Sequence, residues 1–108
     1  MNGIAQNMSL ESRKTKDKSG HLYHEFVWKI GDKYIACYPE IDPTMIISGF
    51  DKKQILKELN ERCVNQLKNL KYNNKRLPSR KKVSTLLEIT SILSKEHLNG
   101  ISLIMFQI

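Results

Sequence analysis

Residues 33–70 constrain the fold most. They read KYIACYPEIDPTMIISGF, followed by DKKQILKELNERCVNQLKNL. Asp51 is the residue type that caps a helix N-terminus, and Gln54 three residues on completes a capping box. Phe50 and Ile55 stand at the spacing of a hydrophobic staple around that cap. Ile55, Leu56, Leu59, Cys63, Leu67 and Leu70 then recur at helical intervals, so one face is apolar. Lys52, Lys53, Lys57, Glu58, Glu61, Lys68 and Lys71 fall on the other face. The spacing predicts an amphipathic helix over residues 52–71, and its apolar stripe needs a surface to cover.

Two short apolar runs supply that surface. Residues 34–38 and 44–48 read as strands, separated by Pro39-Glu40-Ile41-Asp42-Pro43. Pro39 ends the first run because it has no N–H for a ladder, and Pro43 holds the residue before it extended. Gly49 is expected to free the backbone for the turn into the helix. Upstream, residues 21–30 alternate: Leu22, His24, Phe26, Trp28 and Ile30 share one face, and Tyr23, Glu25, Val27 and Lys29 the other. With Gly31-Asp32-Lys33 as the turn, residues 21–30 and 34–38 form an antiparallel hairpin.

The C-terminal third is less determined. Val83, Leu86, Leu87, Thr90 and Leu93 fit a helix face within residues 83–98, with Ser79 as a cap and Asn99-Gly100 as the stop. The Thr, Ser and Ile content keeps a strand over residues 84–89 open. The closing ISLIMFQI is nearly all apolar, which suits a strand buried on both faces or one exchanged with a second chain. The fold class is α+β: a three-stranded antiparallel sheet covered by one long helix, then a second helix and a C-terminal strand. Residues 1–20 form a flexible basic N-terminal arm, and residues 21–108 a single α+β domain.

A 108-residue chain is the size of one domain. Its net charge of +7 favours acidic partners: nucleic acid, an acidic protein surface or an anionic membrane. No apolar run approaches the length that spans a bilayer, and the first residues lack the apolar core of a secretory signal, so the expected setting is the cytoplasm, away from membranes. Cys37 and Cys63 make no disulfide framework; both read as buried small hydrophobes in a reducing compartment.

No nucleophile elbow and no phosphate-cradling glycine loop occurs. Asp32, Glu40 and Asp42 put three carboxylates near one sheet end, the ligand chemistry a divalent cation needs in a nuclease. Such an enzyme also carries a carboxylate within a central strand, and residues 34–38 and 44–48 hold none. His21 and His24 lie on opposite faces of their strand, and His97 suits a helix C-terminus. No catalytic residue, metal ligand or cofactor is assigned. The cations form three groups: Arg13, Lys14, Lys16 and Lys18 in the arm; Lys52, Lys53 and Lys57 at the helix start; and Lys75, Arg76, Arg80, Lys81 and Lys82 in the loop after the helix. The arm reads either as a solvated tail or as a docking arm for phosphates or an acidic protein. Tyr72 stands beside the loop, where it can stack on a base.

The segment Gly31-Asp32-Lys33-Tyr34-Ile35-Ala36-Cys37-Tyr38-Pro39-Glu40, the segment Ile47-Ser48-Gly49-Phe50-Asp51, the helix to Leu70 and Leu77-Pro78 together resemble the HicB family of antitoxins. The shared pattern is a glycine-bearing hairpin turn, an aromatic second strand closed by proline and an acid, and a glycine before a capped helix. The resemblance covers residues 22–78. It implies a partly RNase-H-like sheet in a non-catalytic domain that occludes an RNA-cleaving toxin. Asp42-Pro43-Thr44 stands where the family has Pro-Gly-Cys, and no clear ribbon-helix-helix or helix-turn-helix follows the core. The high charge also departs from the pattern, since a basic toxin repels a +7 inhibitor.

Two functions follow. One is an interaction protein, dimeric through its strands, that binds and inhibits a partner with an acidic surface or a nucleoprotein enzyme. Antitoxins act in this way, as do small inhibitors from phages or mobile elements, such as anti-CRISPR-type blockers of nucleic-acid enzymes. The alternative is a basic protein that binds RNA or DNA through the arm and residues 72–82.

Overall fold

The computed structural model describes residues 20–108. The expectations for the arm, including Arg13, Lys14, Lys16 and Lys18, lie outside these residues. The architecture is α+β. Strands β1 (Gly20–Ile30), β2 (Lys33–Cys37) and β3 (Ile47–Gly49) precede helix α1 (Lys52–Tyr72); helix α2 (Val83–Ile89), a 3-10 turn (Lys95–His97) and strand β4 (Leu98–Gln107) follow. All strand pairings are antiparallel, in the order β3-β2-β1-β4. The C-terminal strand therefore makes the sheet four-stranded.

The hairpin forms as its alternation predicts, with Phe26 opposite Cys37 and Ile30 opposite Lys33. Gly31 carries the turn at a φ of 62°, a conformation that costs a side-chain-bearing residue about 1 kcal/mol. The two faces of β1 enter different cores. Tyr23 and Val27 join Ala36, Tyr38, Ile41 and Phe106 beneath Ile55, Leu59, Cys63 and Leu67 of α1. Phe26, Trp28 and Cys37 face the other way, against Leu86 of α2. The two buried thiols are thus unpaired and on opposite sides of the sheet.

Helix α1 starts as its cap requires: the Asp51 side chain accepts from the Gln54 N–H at 3.2 Å. The staple does not form, because Phe50 is 74% exposed and the chain enters the helix turned outward. Gly49 also serves differently from expectation. Its φ is not positive, but a Cβ there would come within 2.8 Å of Ile55 Cγ2. The glycine admits the helix close to β3.

Three boundaries move for local reasons. The third strand begins at Ile47 rather than 44, because the Asp42 carboxylate accepts from the Thr44 N–H at 3.0 Å and from its hydroxyl at 2.6 Å. Met45 N–H closes the same turn on Asp42 O, so residues 42–45 are spent before the ladder starts. Helix α2 is real but short, which decides the open helix-or-strand choice for residues 83–89. Lys82, not Ser79, occupies its N-cap, with no side-chain cap bond. It ends where the buried Thr90 hydroxyl turns back to Leu86 O at 2.8 Å. Asn99-Gly100 is no helix stop: it lies in β4, where the register with β1 shifts between Val27 and Trp28. Nor is β4 buried on both faces. Among the described residues it is an edge strand, paired on one side with β1 and largely exposed.

Candidate interaction surface: an anchored basic loop

The basic loop begins at the end of α1. Lys75 N–H donates to Leu70 O at 2.8 Å and Asn74 N–H to Lys71 O at 3.1 Å, with Asn74 at a φ of 56°. This is a Schellman closure, with Asn in the place glycine more often holds. It reverses the chain and sends residues 75–82 back across the sheet. Asn73-Asn74 after the apolar stripe was the available sequence signal for this stop.

Two long-range contacts then fix the loop. Tyr23 Oη donates to Pro78 O at 2.7 Å, and Lys81 N–H donates to Glu40 Oε2 at 2.7 Å. Glu40 is the hub. Its other oxygen accepts from the His24 N–H at 2.6 Å, and His24 Nδ1 lies 3.0 Å from Oε2. The Glu40 side chain is fully buried, and among the described residues these donors meet its oxygens. Hydrogen bonds to a charged group contribute about 1.5–3 kcal/mol each. Burial, with Glu40 nearby as the lesser cause, raises the Tyr23 pKa and keeps its hydroxyl a donor.

The cations therefore ride on a held backbone. Lys75, Arg76, Arg80, Lys81 and Lys82 are all exposed, and Tyr72, at the end of α1, is 86% exposed. Residues 62–87 contain eight Lys and Arg and no Asp or Glu. The cations at the helix start are not part of this group. Lys52 and Lys71 are separated along α1 by about 28 Å at 1.5 Å per residue.

Several residues that could carry chemistry have structural partners. Glu40 anchors the loop. Asp42 caps its own turn, and the Thr44 hydroxyl lowers its pKa. Glu25, buried in the sheet, accepts from Tyr38 Oη at 2.6 Å; burial first, then Glu25, raises the Tyr38 pKa. Burial pushes both thiols up to about 12, which leaves them protonated and poor nucleophiles at neutral pH. Among the described residues no cluster of three His, Cys, Asp or Glu side chains could hold a metal ion. A shallow groove beside α2, lined by Ser84, Leu87, Glu88, Ser91, Leu93 and Lys95, brings no acid–base pair to a buried centre. No helix among the described residues is long and apolar enough to cross a membrane.

No family model matches the chain, and no curated protein matches it. Among solved structures, a chain of the "HicA3 and HicB3 toxin-antitoxin complex" is similar, at 22% sequence identity and a TM-score of 0.47, over 81% of this chain and 96% of that one.

Proposed function

We propose that this chain is a non-catalytic, HicB-like interaction protein that binds and inhibits a partner protein with an acidic surface. It acts either as an antitoxin or as a small inhibitor carried by a phage or mobile element, including a blocker of a nucleic-acid enzyme of the anti-CRISPR type. The observation that carries this reading is the anchored basic loop. Its cations are exposed on a backbone already held by Glu40 and Tyr23, so docking orders little further chain. The partner-facing residues are Lys75, Arg76, Arg80, Lys81 and Lys82, with Arg13, Lys14, Lys16 and Lys18 of the arm as a second set. A cytoplasmic setting suits the two unpaired thiols.

A second reading rests on Tyr72. An exposed aromatic ring at the end of α1, ahead of a loop with five cations, also fits a nucleic-acid strand, with a base stacked on the ring and phosphates on the loop. One experiment separates the two. The chain and its variant with Arg76, Arg80, Lys81 and Lys82 all changed to Glu are co-expressed with the protein encoded beside it, and each is also titrated with a labelled single-stranded oligonucleotide over a salt series. Co-purification of that protein with the parent chain, lost in the variant, supports protein docking. Equal retention by both chains overturns it. No oligonucleotide shift at low salt removes the nucleic-acid reading, whereas a shift that weakens steeply with salt supports it.

A further inference from the structure

The two edges of the sheet are managed differently. β3 is three residues long and gives a neighbouring strand little to pair with. β4 is ten residues long, and its only irregularity lies at its start, where the register shifts between Val27 and Trp28. Proteins blunt an open edge with charge, proline, bulges or shortness. From residue 100 to the end of the strand β4 has none of these, and residues 98–108 include no Asp, Glu, Lys, Arg or Pro. Ile101, Leu103 and Met105, alternate residues on one face, are 36%, 47% and 56% exposed.

We propose that β4 pairs antiparallel with β4 of a second copy of this chain, about a two-fold axis at Leu103, to make one sheet running through both copies. The symmetry requires what the strand offers. A two-fold relating two antiparallel edge strands stands perpendicular to the sheet, so the α2 side of one copy continues as the α2 side of the other. Directly opposed residues then point to the same face. With Leu103 opposite its own copy, Ile101 meets Met105 and the exposed rows form one apolar strip.

Charge selects the second copy over other occupants. A partner chosen by a +7 chain presents acids, and residues 98–108 offer no cation to receive them. A neutral, self-complementary edge is matched by itself, and no like charges on the strand oppose one another across the seam. This inference is independent of the partner proposed above, which docks on the basic loop.

The test is the mass of the full chain in solution by size exclusion with light scattering, over a concentration series. The expected mass at high concentration is twice 12.6 kDa. Leu103→Lys sets two ammonium groups against each other at the axis, and Met105→Lys places one at each end of the strip. Both side chains are exposed, so both variants should keep the parent circular dichroism. Each should raise the dimer dissociation constant at least about 100-fold. A parent chain that stays monomeric overturns the inference, and so does a dimer that both variants retain at the parent's affinity.

Discussion

The two faces of the sheet are covered unequally. On one, the 21-residue α1 lays Ile55, Leu59, Cys63 and Leu67 over Tyr23, Val27, Ala36, Tyr38 and Phe106. There the rings pack edge to face, Phe106 with its centroid 4.9 Å from that of Tyr38 and 5.8 Å from that of Tyr23. On the other, the seven-residue α2 brings only Leu86 to full burial over Phe26, Trp28 and Cys37. Beyond α2 that face runs out to the bare row of β4. A long amphipathic helix completes its side alone, whereas a short one leaves half a side for something else. The difference separates structure from interaction: the α1 face holds the domain together, and the α2 face is where the second copy proposed above would add burial.

The largest effect that sharpens this contrast comes from truncating the buried leucine of each helix. Leu59→Ala should cost about 4 kcal/mol, near the upper end for core leucines, because Leu59 is fully buried in the larger core cluster. Leu86→Ala should cost about 2 kcal/mol, since its half-buried neighbours Leu87 and Leu93 lie on a short helix and a turn that can move inward. Urea midpoints of the two variants measure both losses. Equal losses would break the contrast and make the α2 face as consolidated as the α1 face.

A smaller effect concerns the loop that runs from α1 to α2. Glu40→Gln keeps one acceptor oxygen but turns an amide NH2 toward either the Lys81 or the His24 N–H, both donors that Glu40 now satisfies. The expected cost is about 1.5–3 kcal/mol. Amide hydrogen exchange should show Lys81 losing protection while Leu59 and Leu67 of α1 keep theirs. Loss of protection throughout α1 would mean that the loop and the α1 face open as one unit.

The same division marks what could be read in the residues alone. Helix α1 and the hairpin announce themselves by local means: a cap at Asp51, a stripe at period 3.6 and an alternation at period 2. β3 starts later than its apolar run suggests because the Asp42 side chain captures Thr44, a competition that strand propensity does not register. Asn99-Gly100 looks like a helix stop only if a helix precedes it, and here Thr90 has already ended α2. The apolar character of residues 101–108 was plain, but which neighbour covers such a run depends on the strand order. At the candidate surface the cations were legible as a cluster. The anchor was not, because Glu40 reaches Lys81 across 41 residues and Tyr23 reaches Pro78 across 55. Glu40 invited a metal-site reading, whereas in the fold its carboxylate accepts from the His24 and Lys81 N–H groups.

The smallest effect, and the most direct comparison of the two faces, uses one thiol on each. Cys63 lies under α1 and Cys37 under α2, and burial pushes both up to about 12 from an ordinary 9.0. In the unfolded chain both thiols ionise above pH 9, while in the folded protein they keep their protons. The raised folded pKa therefore contributes stability that is fully present below pH 9 and is lost as the pH rises toward 12. Each thiol can add at most about 1.4 kcal/mol per pH unit to the slope in that window. Denaturant midpoints between pH 8.5 and 11 for Cys37→Ala and Cys63→Ala should each fall less steeply than those of the parent, by similar amounts. The likeness matters because the faces differ in extent of cover but not, at these two positions, in dryness. A slope relieved by Cys63→Ala alone would show that water reaches Cys37 beneath α2, and that this face is open even before β4 meets its copy.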